Sequence, residues 1–443
     1  MENKERLFVL ALDGTPFSLL KRLMNEGVMP NLKRLVRQGS FREMYSVQPP
    51  LSSVAWASFL TGSKPAEHGI SGFVERNPQT MDWYVPKADR LQKETFLQIL
   101  SRKGKRVFSM NVPLTYPPYP VNGILISGFL NQDILRGTYP QAIGSFLKAK
   151  GYVIDADVEI AKKDLHAFFE RLSFVLEKRI EIMLHFYHQE KWDLFFTHIM
   201  ETDRLHHIFW KYYQVNLAPF AEKFRVFYQK IDMLIGKLEA ALLPDSALLL
   251  LSDHGFTELK YEVYLNRWLA DNGYLFFEQM PPQSLKNIHP QSKAYSLYPG
   301  RIYLNLKGRE KTGRVEPGTA YENLCVEISQ KLKELRDPQG HPVVADVRRG
   351  YELYGIPPRA GNALFADPLR LGIVPDLMAV PHKGYDLKGT LWHNRLFDQT
   401  IFSGTHTYDD AFLFCRGLEI APEVKSIDGL TNEILKFFAE SGI

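Results

Sequence analysis

Two cysteines in 443 residues, Cys325 and Cys415, exclude a disulfide framework and a cysteine-ligated zinc site. Both sit among apolar neighbours, as inert buried thiols do. No apolar run approaches the ~20 residues that cross a bilayer. No block of five or more like charges is present, and a net charge of +4 is small for this length. That balance argues against a nucleic-acid tail and against a polybasic membrane patch. Internal repeats and low-complexity segments are missing too. The opening Met1-Glu2-Asn3-Lys4-Glu5-Arg6 meets a short apolar stretch and then an acid, too short and too soon charged for a signal peptide. The expectation is a soluble, cytoplasmic protein with no membrane span and no nucleic-acid polymer as partner.

What is present is ample apolar material. At 45% hydrophobic residues the chain can bury a large core. Short apolar runs at 7–12, 107–110, 124–126, 194–198 and 247–251 have the character of parallel strands covered on both faces. Helical patterns separate them, at 16–26 and 31–38 and most clearly at 165–188, where apolar residues recur at helical spacing. Alternation of this kind predicts an α/β fold, a doubly wound, mostly parallel sheet flanked by helices. After Phe256 the strands shorten and 279–291 becomes rich in proline and polar residues. Segments 301–306 and 343–347 suggest a smaller mixed α+β sheet. The expected organisation is a core over 1–256, a cap insertion over 257–400, and a return to the core over 401–443.

Four places far apart in the chain put chemically able residues just past a predicted strand or on the segment that follows, and ligands gather at the carboxyl ends of strands in open α/β sheets. The first is Asp13-Gly14, although an Asp there is also a common helix cap. The second is Ser52-Ser53, opening a helix after Pro49-Pro50, where a hydroxyl would face free N–H groups suited to a phosphoryl oxygen or would simply cap the helix. The third is Glu201-Thr202-Asp203-Arg204-Leu205-His206-His207, in which Asp203 and His207 share a helix face. The fourth is Asp253-His254-Gly255, after a fully apolar strand. A lone His406 follows late, in Ser403-Gly404-Thr405-His406. Together these supply three aspartates, three histidines and a hydroxyl, enough for two divalent ions with nitrogen and oxygen ligands. Such ions would overcome the weakness of a serine nucleophile, much as zinc lowers the pKa of bound water from 15.7 to about 7.

In order, these blocks resemble the alkaline phosphatase superfamily, and most closely its type I phosphodiesterase/nucleotide pyrophosphatase branch. The most specific block is Thr61-Gly62-Ser63-Lys64-Pro65-Ala66-Glu67-His68-Gly69-Ile70. Met29-Pro30-Asn31-Leu32, Asn111-Val112-Pro113, Tyr264-Leu265-Asn266-Arg267-Trp268-Leu269 and Val374-Pro375-Asp376 also fit, so the resemblance spans nearly the whole chain. It implies one metal site of Asp203, His207 and His406 and another of Asp13, Asp253 and His254, with the Ser52 oxygen at or between the ions. Branch spacing, nine residues before Thr61, selects Ser52 over Ser53, and Asp plus four selects His207 over His206. His68 lies in a family motif without being a ligand there. The ions expected are zinc, with manganese or iron as alternatives.

Three departures accompany the resemblance. Serine replaces the branch's usual threonine. Ala55 stands where nucleotide pyrophosphatases carry an oxyanion-binding asparagine, leaving the Ser53 backbone N–H as a substitute. Val54 replaces the proline before that asparagine; Val54 and Trp56 also stand where a sulfatase signature would need proline and arginine, so sulfatase activity is not expected. Lys64, Lys293 and Arg301 are candidate phosphate or carboxylate contacts, or else solvated surface charge. The expected function is a metal-dependent phosphohydrolase acting on a small phosphodiester, pyrophosphate or phosphomonoester through a covalent intermediate on Ser52. A phosphomutase similar to cofactor-independent phosphoglycerate mutase, or a non-catalytic binding protein on the same fold, are the alternatives. The oligomeric state is not written in the sequence.

Overall fold

A computed structural model describes residues 6–131, 133–189, 191–243, 246–356 and 373–439. The opening segment weighed above as a leader, residues 1–5, lies outside the described residues. The chain forms two compact units, Met1–Ser63 with Lys87–Thr257 and Ile401–Ile443, and Lys64–Pro86 with Glu258–Thr400.

The first unit is built on an eight-stranded sheet. Its order is Ser40–Met44, Ala411–Arg416, Ser246–Leu251, Arg6–Leu12, Leu194–Ile199, Val107–Met110, Gly123–Ile126 and Thr138–Tyr139. The five strands from Ser246–Leu251 to Gly123–Ile126 are mutually parallel. On one side Ala411–Arg416 runs against them and Ser40–Met44, antiparallel to it, runs with them; on the other side Thr138–Tyr139 runs against them. The central strands are apolar on both faces because both faces are covered. Successive residues point to opposite faces, so Phe8, Leu10, Phe108, Met110 and Phe195 join one core with Leu23 and Leu176 from the helices Phe17–Asn25 and Leu165–Gln189. Phe196 faces the other way, onto Trp56 and Phe59 of the helix Ser52–Thr61, with ring centroids 6.1 and 5.6 Å away. Helices on both faces make the sheet doubly wound. The segment after residue 401 adds the strand Gly404–Thr407 and an antiparallel strand of the main sheet, Ala411–Arg416.

The second unit has its own core. An antiparallel sheet of Ala294–Leu297, Arg301–Leu304, Leu377–Pro381 and Val344–Arg349 packs with the helix Thr319–Lys333. A three-stranded sheet and the hairpin Glu75–Asn77/Asp82–Tyr84 complete it. The hairpin falls inside the block 1–256 drawn from sequence but clusters with the second unit. Buried ion pairs account for this: Arg76 to Glu310 at 3.0 Å and Glu75 to Arg301 at 2.9 Å, all four side chains inaccessible. Arg301 is accordingly neither a solvated charge nor a phosphate contact. Its guanidinium donates to Ser71, Glu75 and the carbonyls of Val74 and Tyr298. Lys64 and Lys293 are exposed.

Candidate metal centre

Three adjacent parallel strands end side by side. Leu12 pairs with Ile199, Ala11 pairs with Leu251, and the Asp13 N–H continues the ladder to the Ile199 carbonyl at 3.0 Å. Asp13, the helix Glu201–Gln214 and Asp253-His254 therefore leave the sheet at one edge. Gly14 makes the first exit possible. It has φ +58°, and a Cβ there would stand 2.9 Å from His254 Cε1. The Thr202 hydroxyl donates to the Asp13 carbonyl at 2.6 Å, tying the start of the helix to the turn. Farther along that helix the Ser403 hydroxyl donates to the Ile208 carbonyl at 2.9 Å, which brings the strand carrying His406 alongside.

Six side chains meet there as two trios, Asp203 with His207 and His406, and Asp13 with Asp253 and His254. Within each trio one donor atom per residue lies within 4.8 Å of the others. The trios adjoin, since the rings of His254 and His406 stack at 3.9 Å. Asp13, Asp253 and His254 are wholly buried, whereas the His207 side chain keeps 19% of its exposure. Ser52 begins its helix and is 4% exposed. Its hydroxyl donates to Asp13 Oδ1 at 3.2 Å and lies 3.3 Å from His254 Nε2. Ser53 is buried with no hydrogen-bond partner for its hydroxyl. His206 is not part of either trio: it donates Nδ1–H to the Gly14 carbonyl at 2.9 Å and accepts from the Tyr228 hydroxyl at 2.8 Å. His68 is buried in the second unit, where its Nδ1 accepts from the Ile70 N–H.

The donor set fits divalent cations in a specific way. Every member of the two trios has one polar atom tied to the protein and another turned inward. The three imidazoles donate Nδ1–H to carbonyls, His207 to Gly404 at 3.0 Å, His406 to Pro50 at 3.1 Å and His254 to Gly255 at 3.0 Å. A carbonyl cannot donate, so in the neutral ring, the form that binds metal, Nε2 keeps its lone pair. Among the carboxylates, Asp203 Oδ2 accepts from Arg204, Asp13 Oδ2 from Trp56 and His198, and Asp253 Oδ1 from the Gly14 N–H. The opposite oxygens, Asp203 Oδ1, Asp13 Oδ1 and Asp253 Oδ2, face the cluster, and Asp253 Oδ2 is buried without a hydrogen bond. Outer partners of this kind fix ligand orientation around metal ions.

The electrostatics point the same way. Burial raises Asp253, and the neighbouring Asp13 charge pushes it further, to well above the ordinary carboxylate range. Burial also opposes ionisation of Asp203, but His207, His406 and Arg204 hold it well below that range. Burial lowers His207 to about 4 and His254 to about 3, so both are neutral near pH 7, the form that binds metal. Three buried carboxylates beside one guanidinium, itself shared with Asp155, form an acidic cavity in need of positive charge.

Sequence pattern alone missed His198, Trp56 and Arg204 as partners of the site. Trp56 carried one available signal, since it sits four residues after Ser52 on the same helix and so shares its face.

The family model for type I phosphodiesterase/nucleotide pyrophosphatase matches residues 7–409. Among solved structures, phosphonoacetate hydrolase from Sinorhizobium meliloti 1021, in complex with phosphonoformate, is 18% identical over 98% of this chain and 96% of that one, with TM-score 0.64. Murine ectonucleotide pyrophosphatase/phosphodiesterase 5 is 13% identical over 98% of this chain and 95% of that one, with TM-score 0.56. No curated protein matches the chain. At these identities the structural likeness speaks to the fold, which is that of the alkaline phosphatase superfamily.

Proposed function

Because the chain belongs to the type I phosphodiesterase/nucleotide pyrophosphatase family, hydrolases of phosphate ester bonds, we propose that it cleaves a small phosphate ester through a covalent intermediate on Ser52, with two divalent ions. Asp203, His207 and His406 would hold one ion, and Asp13, Asp253 and His254 the other. Nitrogen and oxygen donors without sulfur suit zinc, and manganese or iron next. The observation that supports this most is the inward set of six donor atoms beside one serine oxygen, 3.2 Å from Asp13 Oδ1 and 3.3 Å from His254 Nε2. Bound ions would supply the positive charge that favours the Ser52 alkoxide and offsets charge on the transferring phosphoryl group.

The chain's own groups do the rest. Ser52 stands at the N-terminus of a ten-residue helix, whose dipole and first N–H groups favour an anion. Val54 and Ala55 donate to the Leu51 carbonyl, whereas the Ser52 and Ser53 N–H groups have no backbone acceptor among the described residues. The Ser53 N–H therefore replaces the donor that Ala55 cannot supply. Ser52 Oγ attacks phosphorus, the leaving oxygen departs on the opposite side, and a phosphoseryl ester forms. Water then attacks that ester and restores the serine, so configuration at phosphorus is retained after two inversions.

No described helix is long and apolar enough to cross a membrane. Both cysteines are free and buried, and burial raises Cys325 to about 12. Inert thiols of this kind suit a reducing compartment, and the cytoplasm is the proposed location.

The test combines elemental analysis of the purified protein with assays of bis(4-nitrophenyl) phosphate and 4-nitrophenyl phosphate. About two metal ions per chain, a preference for the diester and loss of both activities in Ser52→Ala are expected. Undiminished turnover by Ser52→Ala would refute the nucleophile. On candidate sugar or glycerate phosphates, isomerised product without free phosphate would favour a mutase instead.

A further inference from the structure

Asp13 differs from the other two aspartates in how its outer oxygen is held. Asp253 receives one backbone N–H there and Asp203 a guanidinium, but Asp13 Oδ2 takes two ring N–H donors. Trp56 Nε1–H reaches it at 3.0 Å and His198 Nε2 at 2.7 Å. The two rings meet edge to face, with centroids 4.9 Å apart. All three side chains are fully buried.

His198 occupies a position where packing alone would choose an apolar residue. It lies in the strand Leu194–Ile199, wholly buried, on the face that carries Phe196. Its Nδ1 has no hydrogen-bond partner among the described residues. A buried, unpaired ring nitrogen is a cost that leucine or phenylalanine would avoid. The compensating contact is the one to Asp13. Because a carboxylate only accepts, Nε2 carries the hydrogen and donates it.

Trp56 links this arrangement to the nucleophile. The helix Ser52–Thr61 presents Ser52 from its first residue and the Trp56 indole from its fifth, one turn later on the same face. Ser52 donates to Asp13 Oδ1 while Trp56 donates to Asp13 Oδ2. One rigid helix thus grips both oxygens of one carboxylate, and His198 closes the grip from the sheet.

We propose that Trp56 and His198 are positioning residues that hold Asp13 by Oδ2, so that Oδ1 is turned toward Ser52 and the rest of its trio. They make Asp13 a one-oxygen ligand rather than a chelating one. This rests on the two-ion reading above. Neither residue touches substrate; both act through Asp13.

The test is zinc binding by the whole protein, measured by competition with a chromophoric chelator on metal-stripped wild type, His198→Leu, His198→Gln and Trp56→Phe. Melting temperature without metal is recorded for each. The expected result is that His198→Leu and Trp56→Phe weaken one of the two zinc sites by about 10–100-fold, the usual range for losing an outer partner. His198→Gln, whose amide keeps a donor, should recover most of the affinity. The unaffected site serves as an internal control. Wild-type zinc affinity in His198→Leu, or equal loss in His198→Gln and His198→Leu, would overturn the proposal. A wild type that binds no zinc, manganese or iron would instead remove the two-ion reading beneath it. If His198→Leu does not fold, Trp56→Phe alone decides, because it keeps an aromatic ring and deletes only the donor end.

Discussion

His207 Nε2 and His406 Nε2 stand 3.0 Å apart, with the Nδ1 of each ring on a backbone carbonyl. Both Nε2 atoms border the Asp203 carboxylate, 3.1 Å from His406 and 3.4 Å from His207. Two imidazole nitrogens and a carboxylate oxygen at one point are a donor set that a bound cation would hold together. Chelation should therefore destabilise the protein. Ligand present at a hundredfold over its dissociation constant stabilises by about 2.7 kcal/mol. Calorimetry should show the melting temperature falling by several degrees with chelator and recovering with zinc. Identical melting curves in both conditions would count against a metal site.

The two adjacent serines should behave differently. Ser52 touches Asp13 and His254, whereas the Ser53 hydroxyl has no hydrogen-bond partner among the described residues. Loss of a nucleophile costs on the order of 10⁴-fold or more in turnover, which is expected for Ser52→Ala. Ser53→Ala should stay within about tenfold of wild type, since it keeps the backbone N–H. Intact-mass measurement after acid quench should find a phosphoryl adduct in wild type and in Ser53→Ala, and none in Ser52→Ala.

Gly14→Ala should harm stability and site together. The residue has φ +58°, and the new Cβ would lie 2.9 Å from His254 Cε1 and 3.1 Å from Phe256 Cδ2. Backbone strain of this kind costs about 1–3 kcal/mol. Urea unfolding should show that loss, and zinc titration should show weaker binding because His254 must move.

His68 sets one limit on acid stability. Burial lowers it to about 3 from 6.5. The unfolded chain takes up its proton near pH 6.5 and the folded chain does not, so this contribution to stability is complete above pH 6.5 and declines as pH falls toward 3. By pH 4 the loss would be about 3 kcal/mol. His68→Gln should flatten the stability–pH curve across that window while leaving metal content unchanged.

Arg301→Ala should unfold the second unit without touching the metals. It strips Glu75 of its guanidinium, with both groups inaccessible to solvent. Breaking one partner of a buried pair costs about 3–5 kcal/mol. Proteolysis should then cut within 64–86 or 258–400 first, while zinc content holds. Loss of zinc instead would show Arg301 to be coupled to the site.

Much of this was legible in the chain because it is written locally. The strand at 107–110 agrees with Val107–Met110, and the helix at 165–188 differs from Leu165–Gln189 by one residue. Apolar runs and helical periodicity depend only on near neighbours. Asp203 and His207 could be placed on one helix face for the same reason. Other features could not be read. Arg301 and Arg76 look like surface charges until Glu75 and Glu310 are placed beside them. Residues 64–86 carry no local mark of the unit they join.

The sequence by itself determined the chemical inventory, three aspartates, three histidines and a serine, with Asp13, Asp253 and His254 set just past apolar strands and Asp203 and His207 on the helix after one. Tertiary structure alone decided how they are used. Strand order is not encoded in any single run of residues, yet it is the Arg6–Leu12 strand lying between Leu194–Ile199 and Ser246–Leu251 that brings those ends together. Which oxygen of Asp13 faces inward, and that His198 and Trp56 hold the other, follows from side chains meeting across 185 and 43 residues. Contacts at such separation come from packing, which no local pattern contains.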